Sequence, residues 1–411
     1  MPPDTAFMSQ PRESETNVSA LRWLMIALVF AATVINYLDR QTLSVMAPVL
    51  HQEFHMSNEA YSRIVFAFML AYTVMNAVCG PIIDRLGTKR GYAWTVAWWS
   101  AAEMLHALSH GPLSMGVYRF LLGLGEAGNW PAGVKVVAEW FPVKERALGA
   151  GIFNSGSSVG AVLAAPLVAW IVLEFGWRPA FASIGALGFI WVALWLAIYR
   201  PPQSTATESN EPPVPVRRIL SSRFLWQFTL SKVFSDPVWY FYTFWFPQYL
   251  KTGRGFDLRT IGELAWIPFF TAGLGNLIGG VLARSLLRKS TRPRETRKLI
   301  IVGFSLLMTA GIPAGFVHTA AESIALVSIA TLGYTGALAN LLAVPADLYP
   351  KNTVGSIWGL ASTGAGFGGM IFSLLTGWMV DRWSFTPVFV LFGIIPIVSA
   401  LLIWRLPDRA D

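Results

Sequence analysis

Four charged residues stand inside otherwise apolar stretches: Asp39 and Arg40 in the run VINYLDRQTL, and Arg119 and Glu126 in YRFLLGLGEAG. A charge at the centre of a bilayer costs roughly 2.5–3.5 kcal/mol on insertion scales, so four unpaired ones would cost on the order of 10 kcal/mol. The four sum to zero, and mutual pairing removes much of that cost. Arg119 and Glu126 return to nearly the same helix face but sit roughly 10 Å apart along the axis, so each must reach another helix. Asp39 and Arg40 are adjacent and point about 100° apart. The simplest closure pairs Asp39 with Arg119 and Arg40 with Glu126. Such pairs could be static pins between two helices. A purely structural contact can be apolar at lower risk, however, and intramembrane acids mark ion pathways. The expected proton-coupling residues are therefore Asp39 and Glu126, with Arg119 as charge partner and H+ as coupling ion.

Arg40 shares a helix face with Asn36 and Tyr37, at i−4 and i−3. A planar guanidinium beside an amide and a phenol can hold a carboxylate bidentately and receive hydroxyls around it. Tyr72 and Asn76 extend this polar lining, as do Asn154, Ser157 and Ser158. Further along, Trp239, Tyr240 and Tyr242 offer aromatic surface, and Asn340, Ser362 and Thr363 offer hydrogen bonds. Each alone reads most simply as glue between helices; as a set lining one cavity they suit a polyhydroxy acid. Lys135 is either a second anion contact or a snorkelling side chain. Lys232 and Asp236, at i and i+4, are expected to pair with each other. Glu103 and Glu263 are further candidate membrane acids, and the five histidines fall near one set of span ends.

The elements that must position these groups are membrane helices. Of 411 residues, 54% are apolar and only 13% charged, about half the charged share of a soluble domain. Apolar stretches of spanning length recur at about 21–50, 58–83, 89–108, 112–139, 146–174, 178–199, 223–250, 259–284, 298–318, 321–347, 353–381 and 385–405. They predict twelve transmembrane helices in two six-helix halves, 21–199 and 223–405, in an all-α membrane protein. Residues 200–222, rich in Pro, Ser and Thr, form the linker, with tails at 1–20 and 406–411. Twenty-one Lys and Arg fall on the side of the tails and linker and six on the other, which places both termini and the linker in the cytoplasm. The net charge of +8 then reflects cytoplasmic loops rather than nucleic-acid binding. The single cysteine, Cys79, excludes an intramolecular disulfide and any Cys-based metal site, and no His spacing suggests a metal. No metal or cofactor is expected.

The halves repeat each other at an offset of 208 residues. Ala138, Glu139 and Pro142 match Ala346, Asp347 and Pro350; Gly151, Gly156 and Gly160 match Gly359, Gly364 and Gly368; Pro179 and Phe181 match Pro387 and Phe389. A parallel repeat of this kind relates the halves about an axis along the membrane normal, the architecture of a rocking transporter. The pairs Gly156/Gly160, Gly364/Gly368 and Gly275/Gly279 allow close helix contact. They serve either static packing or a smooth interface on which the halves slide.

The second–third loop, Gly80-Pro81-Ile82-Ile83-Asp84-Arg85-Leu86-Gly87-Thr88-Lys89-Arg90, resembles the G-x-x-x-D-R-x-G signature of the major facilitator superfamily. That resemblance implies a cytoplasmic gate motif of Gly80, Asp84, Arg85, Gly87, Lys89 and Arg90, with Asp84 in a charge-and-cap contact. The equivalent place in the second half, Gly280 to Arg284, lacks the acid. Finer resemblance, carried by NYLDR at 36–40, RFLLGLGEA at 119–127, PAGVK at 131–135, EWFP at 139–142 and NSGSSVG at 154–160, is to the anion:cation symporter branch, especially bacterial hexuronate and aldonate transporters. It implies a crossed charge arrangement and proton-coupled import of a sugar-acid anion, such as galacturonate, glucuronate or an aldonate, through the inner membrane by a monomer. A symporter of another organic anion (phthalate, tartrate or a phosphate ester) is the alternative. A sensor would need an output domain, an enzyme a nucleophile or metal constellation, and ATP-driven transport a Walker loop; the sequence supplies none of these.

Overall fold

The computed structural model describes residues 13–141, 146–201, 216–345, 348–349 and 351–407, and among these there is no strand. The first half runs through α1 (Glu13–Glu53), α2 (Asn58–Leu86), α3 (Thr88–Leu105), α4 (Pro112–Glu126), α5 (Asn129–Trp140), α6 (Arg146–Phe175) and α7 (Trp177–Ile198). A short α8 (Val216–Ser221) precedes the second half. That half holds α9 (Arg223–Arg254), α10 (Leu258–Leu264), α11 (Ile267–Lys289), α12 (Pro293–Leu307), α13 (Gly311–Ala314), α14 (Ala320–Leu341), α15 (Lys351–Arg382) and α16 (Phe385–Trp404). Three pieces pair end to end within single spans: α4 with α5, α10 with α11, and α12 with α13. The result is twelve spans, six per half. Eight helical stretches are long and apolar enough by themselves to cross a membrane. The other spans include those that carry Glu103, Arg119, Glu126, Lys232 and Asp236, while α1, one of the eight, carries Asp39 and Arg40. Most of the expected linker, 202–215, lies outside the described residues, as do 1–12 and 408–411.

Local chemistry sets the boundaries. Ser57 caps α2 by accepting from Ala60 N at 3.1 Å, and Thr319 and Glu322 form a reciprocal capping box on α14. Gly87, at φ +75°, turns the chain from α2 directly into α3, a conformation that a residue with a Cβ adopts only under strain.

The glycine pairs pack within halves. A Cβ on Gly160 would lie 2.5 Å from Val34 O, and one on Gly156 2.7 Å from Phe30 O, so α6 lies backbone to backbone on α1. The repeat reproduces this: a Cβ on Gly368 of α15 would lie 2.7 Å from Val233 O of α9. Gly279 sets α11 against α14, with a Cβ 2.7 Å from Gly336 O. Of the two readings the sequence allows, these contacts meet static packing and not the sliding interface. These pairs fix helices inside each half, and the contacts between halves run instead through α2 with α15, α6 with α10 and α11, and α1 with α9.

Candidate substrate and proton site

The helical hydrogen-bond ladder of the fourth span has a break at Ala127 and Gly128, immediately after Glu126, where one continuous helix was expected; both residues keep right-handed helical backbone angles, and Gly128 N bonds to Gly125 O at 3.1 Å. The glycines before the break bring α4 against its neighbours. A Cβ on Gly123 would lie 2.5 Å from Phe68 O of α2, and one on Gly125 2.8 Å from Trp99 N of α3. This approach carries Arg119 and Glu126 to the polar face of α1. Arg119, Glu126, Asp39 and Asn36 are all buried to 1% exposure or less, and Arg40 to 5%.

Arg40 and Glu126 form the expected pair. One carboxylate oxygen, Oε2, accepts from both Nε at 3.1 Å and Nη2 at 2.8 Å. The other, Oε1, is buried without a hydrogen-bond partner. The guanidinium carbon of Arg40 lies 4.7 Å from the ring centre of Tyr72, 5.0 Å from that of Tyr37 and 5.2 Å from that of Phe68. The cation is thus boxed by aromatic faces, which attract it without neutralising it. Asn36 presents both amide atoms with no partner.

The second expected pair does not form. Arg119 donates from Nη1 to the backbone oxygen of Asp39 at 3.2 Å and from Nη2 to that of Arg40 at 2.8 Å. Its carboxylate partner is Glu103 on α3, with Nη1 to Oε2 at 3.4 Å. Both side-chain oxygens of Asp39 are buried with no hydrogen-bond partner. The cause is geometric: the guanidinium is aimed along the α1 backbone, and α3 brings a carboxylate in from the other side. Sequence gave only a weak signal for Glu103, an acid in an apolar stretch with His106 three residues later. Glu263, the other candidate acid, is exposed.

The remaining expected lining residues divide between the halves. Tyr37 clusters with Ala161, Phe269 and Trp239, so first-half and second-half aromatics meet beside Arg40. Trp239 also stacks on Tyr334 at 5.4 Å between ring centres. Asn76, Asn154 and Ser362 are half-buried. Ser157 and Thr363 turn their hydroxyls onto their own helices, donating to Asn154 O at 2.7 Å and Gly359 O at 3.0 Å. Lys232 and Asp236 pair at 2.8 Å, as the spacing predicts, with Ser235 also donating to the carboxylate at 3.0 Å.

At the gate motif, Arg85 and Arg90 are exposed, Gly80 and Lys89 are half-buried, and the side chain of Asp84 lies outside the described residues. A tie that sequence reasoning missed lies beside it. Glu139 accepts from Thr88 at 2.5 Å and from Tyr199 at 2.6 Å, joining the starts and ends of α3, α5 and α7. At the opposite end, Asp381 of α15 accepts from the backbone of Asn58 at 3.0 Å and of Glu59 at 2.7 Å, and from the Asn58 amide at 2.8 Å. It caps α2 across the two halves.

Two six-helix halves meeting at a buried, charged and aromatic centre are the architecture of a multi-pass membrane transporter. The chain belongs to the Major Facilitator Superfamily, whose sequence pattern matches residues 29–363 and 296–411. It is 33% identical over 406 residues to the hexuronate transporter of Escherichia coli (strain K12), covering 94% of both chains. It is 35% identical over 311 residues to the galacturonate transporter of Dickeya chrysanthemi, covering 71% of this chain and 90% of that one. The fold is also that of a crystallised bacterial homologue of the human lysosomal transporter Spinster, with a TM-score of 0.71 at 17% identity over 93% of this chain and 95% of that one. The chain is thus a multi-pass transporter rather than an enzyme.

Proposed function

We propose that this chain imports a sugar-acid anion, a hexuronate or an aldonate, by proton symport with alternating access. It works as a monomer in the inner membrane, with both termini in the cytoplasm. The observation that carries the reading is the Arg40–Glu126 pair, buried among Tyr37, Tyr72 and Phe68 and closed through a single carboxylate oxygen. A substrate carboxylate can take the place of that oxygen once Glu126 is neutral. Protonation from outside releases Arg40; the anion binds there, with its hydroxyls towards Asn36 and the aromatic rings. Release inside lets Glu126 lose its proton and return to Arg40, which resets the empty carrier. The names of the two relatives support a sugar acid as the anion. A phosphate ester fits less well, because a dianion calls for a second strong cation and Arg119 is committed to Glu103 and the α1 carbonyls.

The test is uptake of a panel of labelled hexuronates and aldonates in cells lacking their own carriers. At least one sugar acid is expected to accumulate under an inward proton gradient and to resist competition by the corresponding neutral hexose. Equal competition by the hexose and its uronic acid would refute the anion reading.

A further inference from the structure

The buried centre contains three carboxylates, not two: among the described residues Asp39, Glu103 and Glu126, at 0% exposure, share their surroundings with two guanidiniums, Arg40 and Arg119. The other titratable groups facing it change nothing in this count. His106, one turn along α3, approaches Glu103 at 3.6 Å and gives its Nδ1 hydrogen to Ala102 O at 2.9 Å, while its Nε2 is buried with no hydrogen-bond partner, so a second ring proton would be left unsatisfied there and the ring is counted as neutral. It is sandwiched against Phe181 of α7, with ring centres 4.9 Å apart. Tyr61 of α2 spends its hydroxyl on Phe244 O at 2.7 Å. With all three acids ionised, the cluster would carry one uncompensated negative charge in a site closed to water, a cost that protonation removes. The hydrogen bonds show where the surplus sits. Glu126 is held through one oxygen by two donors of Arg40, at 3.1 and 2.8 Å, and Glu103 through one oxygen by a single longer bond from Arg119, at 3.4 Å; each leaves its other oxygen without a partner, and Asp39 has no partner on either oxygen.

We infer that Glu103 is a third carboxyl of the coupling site, sharing one resident proton with Asp39 across Arg119, so that the substrate-free carrier is neutral at its centre. Arg119 then faces whichever of the two acids is ionised, and the proton sits on the other. This rests on the symport reading only for its consequence. An empty centre (Glu126 on Arg40, one proton on the Asp39–Glu103 pair) and a loaded centre (substrate anion on Arg40, a second proton on Glu126) are both uncharged, so each can reorient without carrying net charge at the site.

The test counts protonated carboxyls in the purified, substrate-free protein by the infrared carbonyl stretch of a carboxylic acid, identified by its shift in D2O. The wild type is expected to show a protonated-carboxyl band that Glu103→Gln abolishes. Asp39→Asn and Glu126→Gln are each expected to abolish it too, because any one of them leaves two acids against two guanidiniums. Glu103→Asp keeps the count and is expected to keep the band, which covers the case of a Gln variant that does not fold. Arg119→Gln leaves three acids against one cation and is expected to roughly double the band. Its absence from the wild type, or its survival in folded Glu103→Gln, overturns the inference. Since no substrate enters the measurement, a failed sugar-acid assignment leaves this result standing.

Discussion

In the proposed cycle Arg40 binds an anion and lets it go, and its surroundings suit both. Rings on three sides hold the guanidinium in place, and one exchangeable carboxylate neutralises it. Arg40→Lys replaces a planar fork with a point charge. A hydrogen bond to a charged group is worth about 1.5–3 kcal/mol, so substrate binding is expected to weaken roughly tenfold to a hundredfold, read by titration of purified protein. Glu126→Gln mimics the protonated pair. It is expected to preserve binding and exchange between two filled pools while abolishing accumulation driven by an imposed pH gradient. A Glu126→Gln carrier that still concentrates substrate under that gradient would remove Glu126 from the coupling role. Asp39 was legible as a buried acid, but its partner was not. The nearest guanidinium bonds to the Asp39 main chain rather than its side chain, and no spacing rule along one helix reports that choice.

At the scale of helices, two kinds of contact divide the work. Glycines weld α6 to α1 and α15 to α9 inside the halves, while polar ends join the halves to each other. Asp381 is the clearest of the latter. Its carboxylate takes the free backbone donors at the start of α2, where a negative charge also meets the positive end of the helix dipole. Losing such a cap costs about 1 kcal/mol. In a carrier that alternates between two states, that difference changes their ratio on the order of fivefold. Asp381→Ala is therefore expected to open the end of the molecule that carries Asn58, seen as longer spin-label distances between the N-terminal end of α2 and the C-terminal end of α15. Unchanged distance distributions would make the contact incidental. The hydropathy pattern placed both helices. That the end of one caps the start of the other depends on how the halves meet.

For the whole molecule, the distribution of Lys and Arg, twenty-one on one side against six on the other, predicts an orientation with the linker in the cytoplasm. Single cysteines in 200–222 are expected to react with a membrane-impermeant reagent only from the cytoplasm, and those in 251–258 only from outside. Labelling of the linker from outside would invert the topology and, with it, the direction of every step proposed at Arg40.

The sequence by itself determined the class of protein, the twelve spans, the parallel repeat and the presence of buried charge in the first and fourth spans. These are properties of hydropathy, spacing and self-similarity along the chain, and lipid enforces them strongly because each exposed polar group there is costly. It also determined the Lys232–Asp236 pair and anticipated Arg40–Glu126, though the same closure argument failed for Asp39 and Arg119. Lys232–Asp236 is local to one helix face, whereas Arg40–Glu126 joins two helices and rests on how they pack. Tertiary structure alone decided that Arg119 turns to Glu103, that the glycine pairs pack within halves, and that the hydrogen-bond ladder of the fourth span breaks after Glu126. Those outcomes turn on where neighbouring helices lie relative to one another to within about an ångström. Side-chain packing across many helices fixes that distance, and no single stretch of sequence contains it.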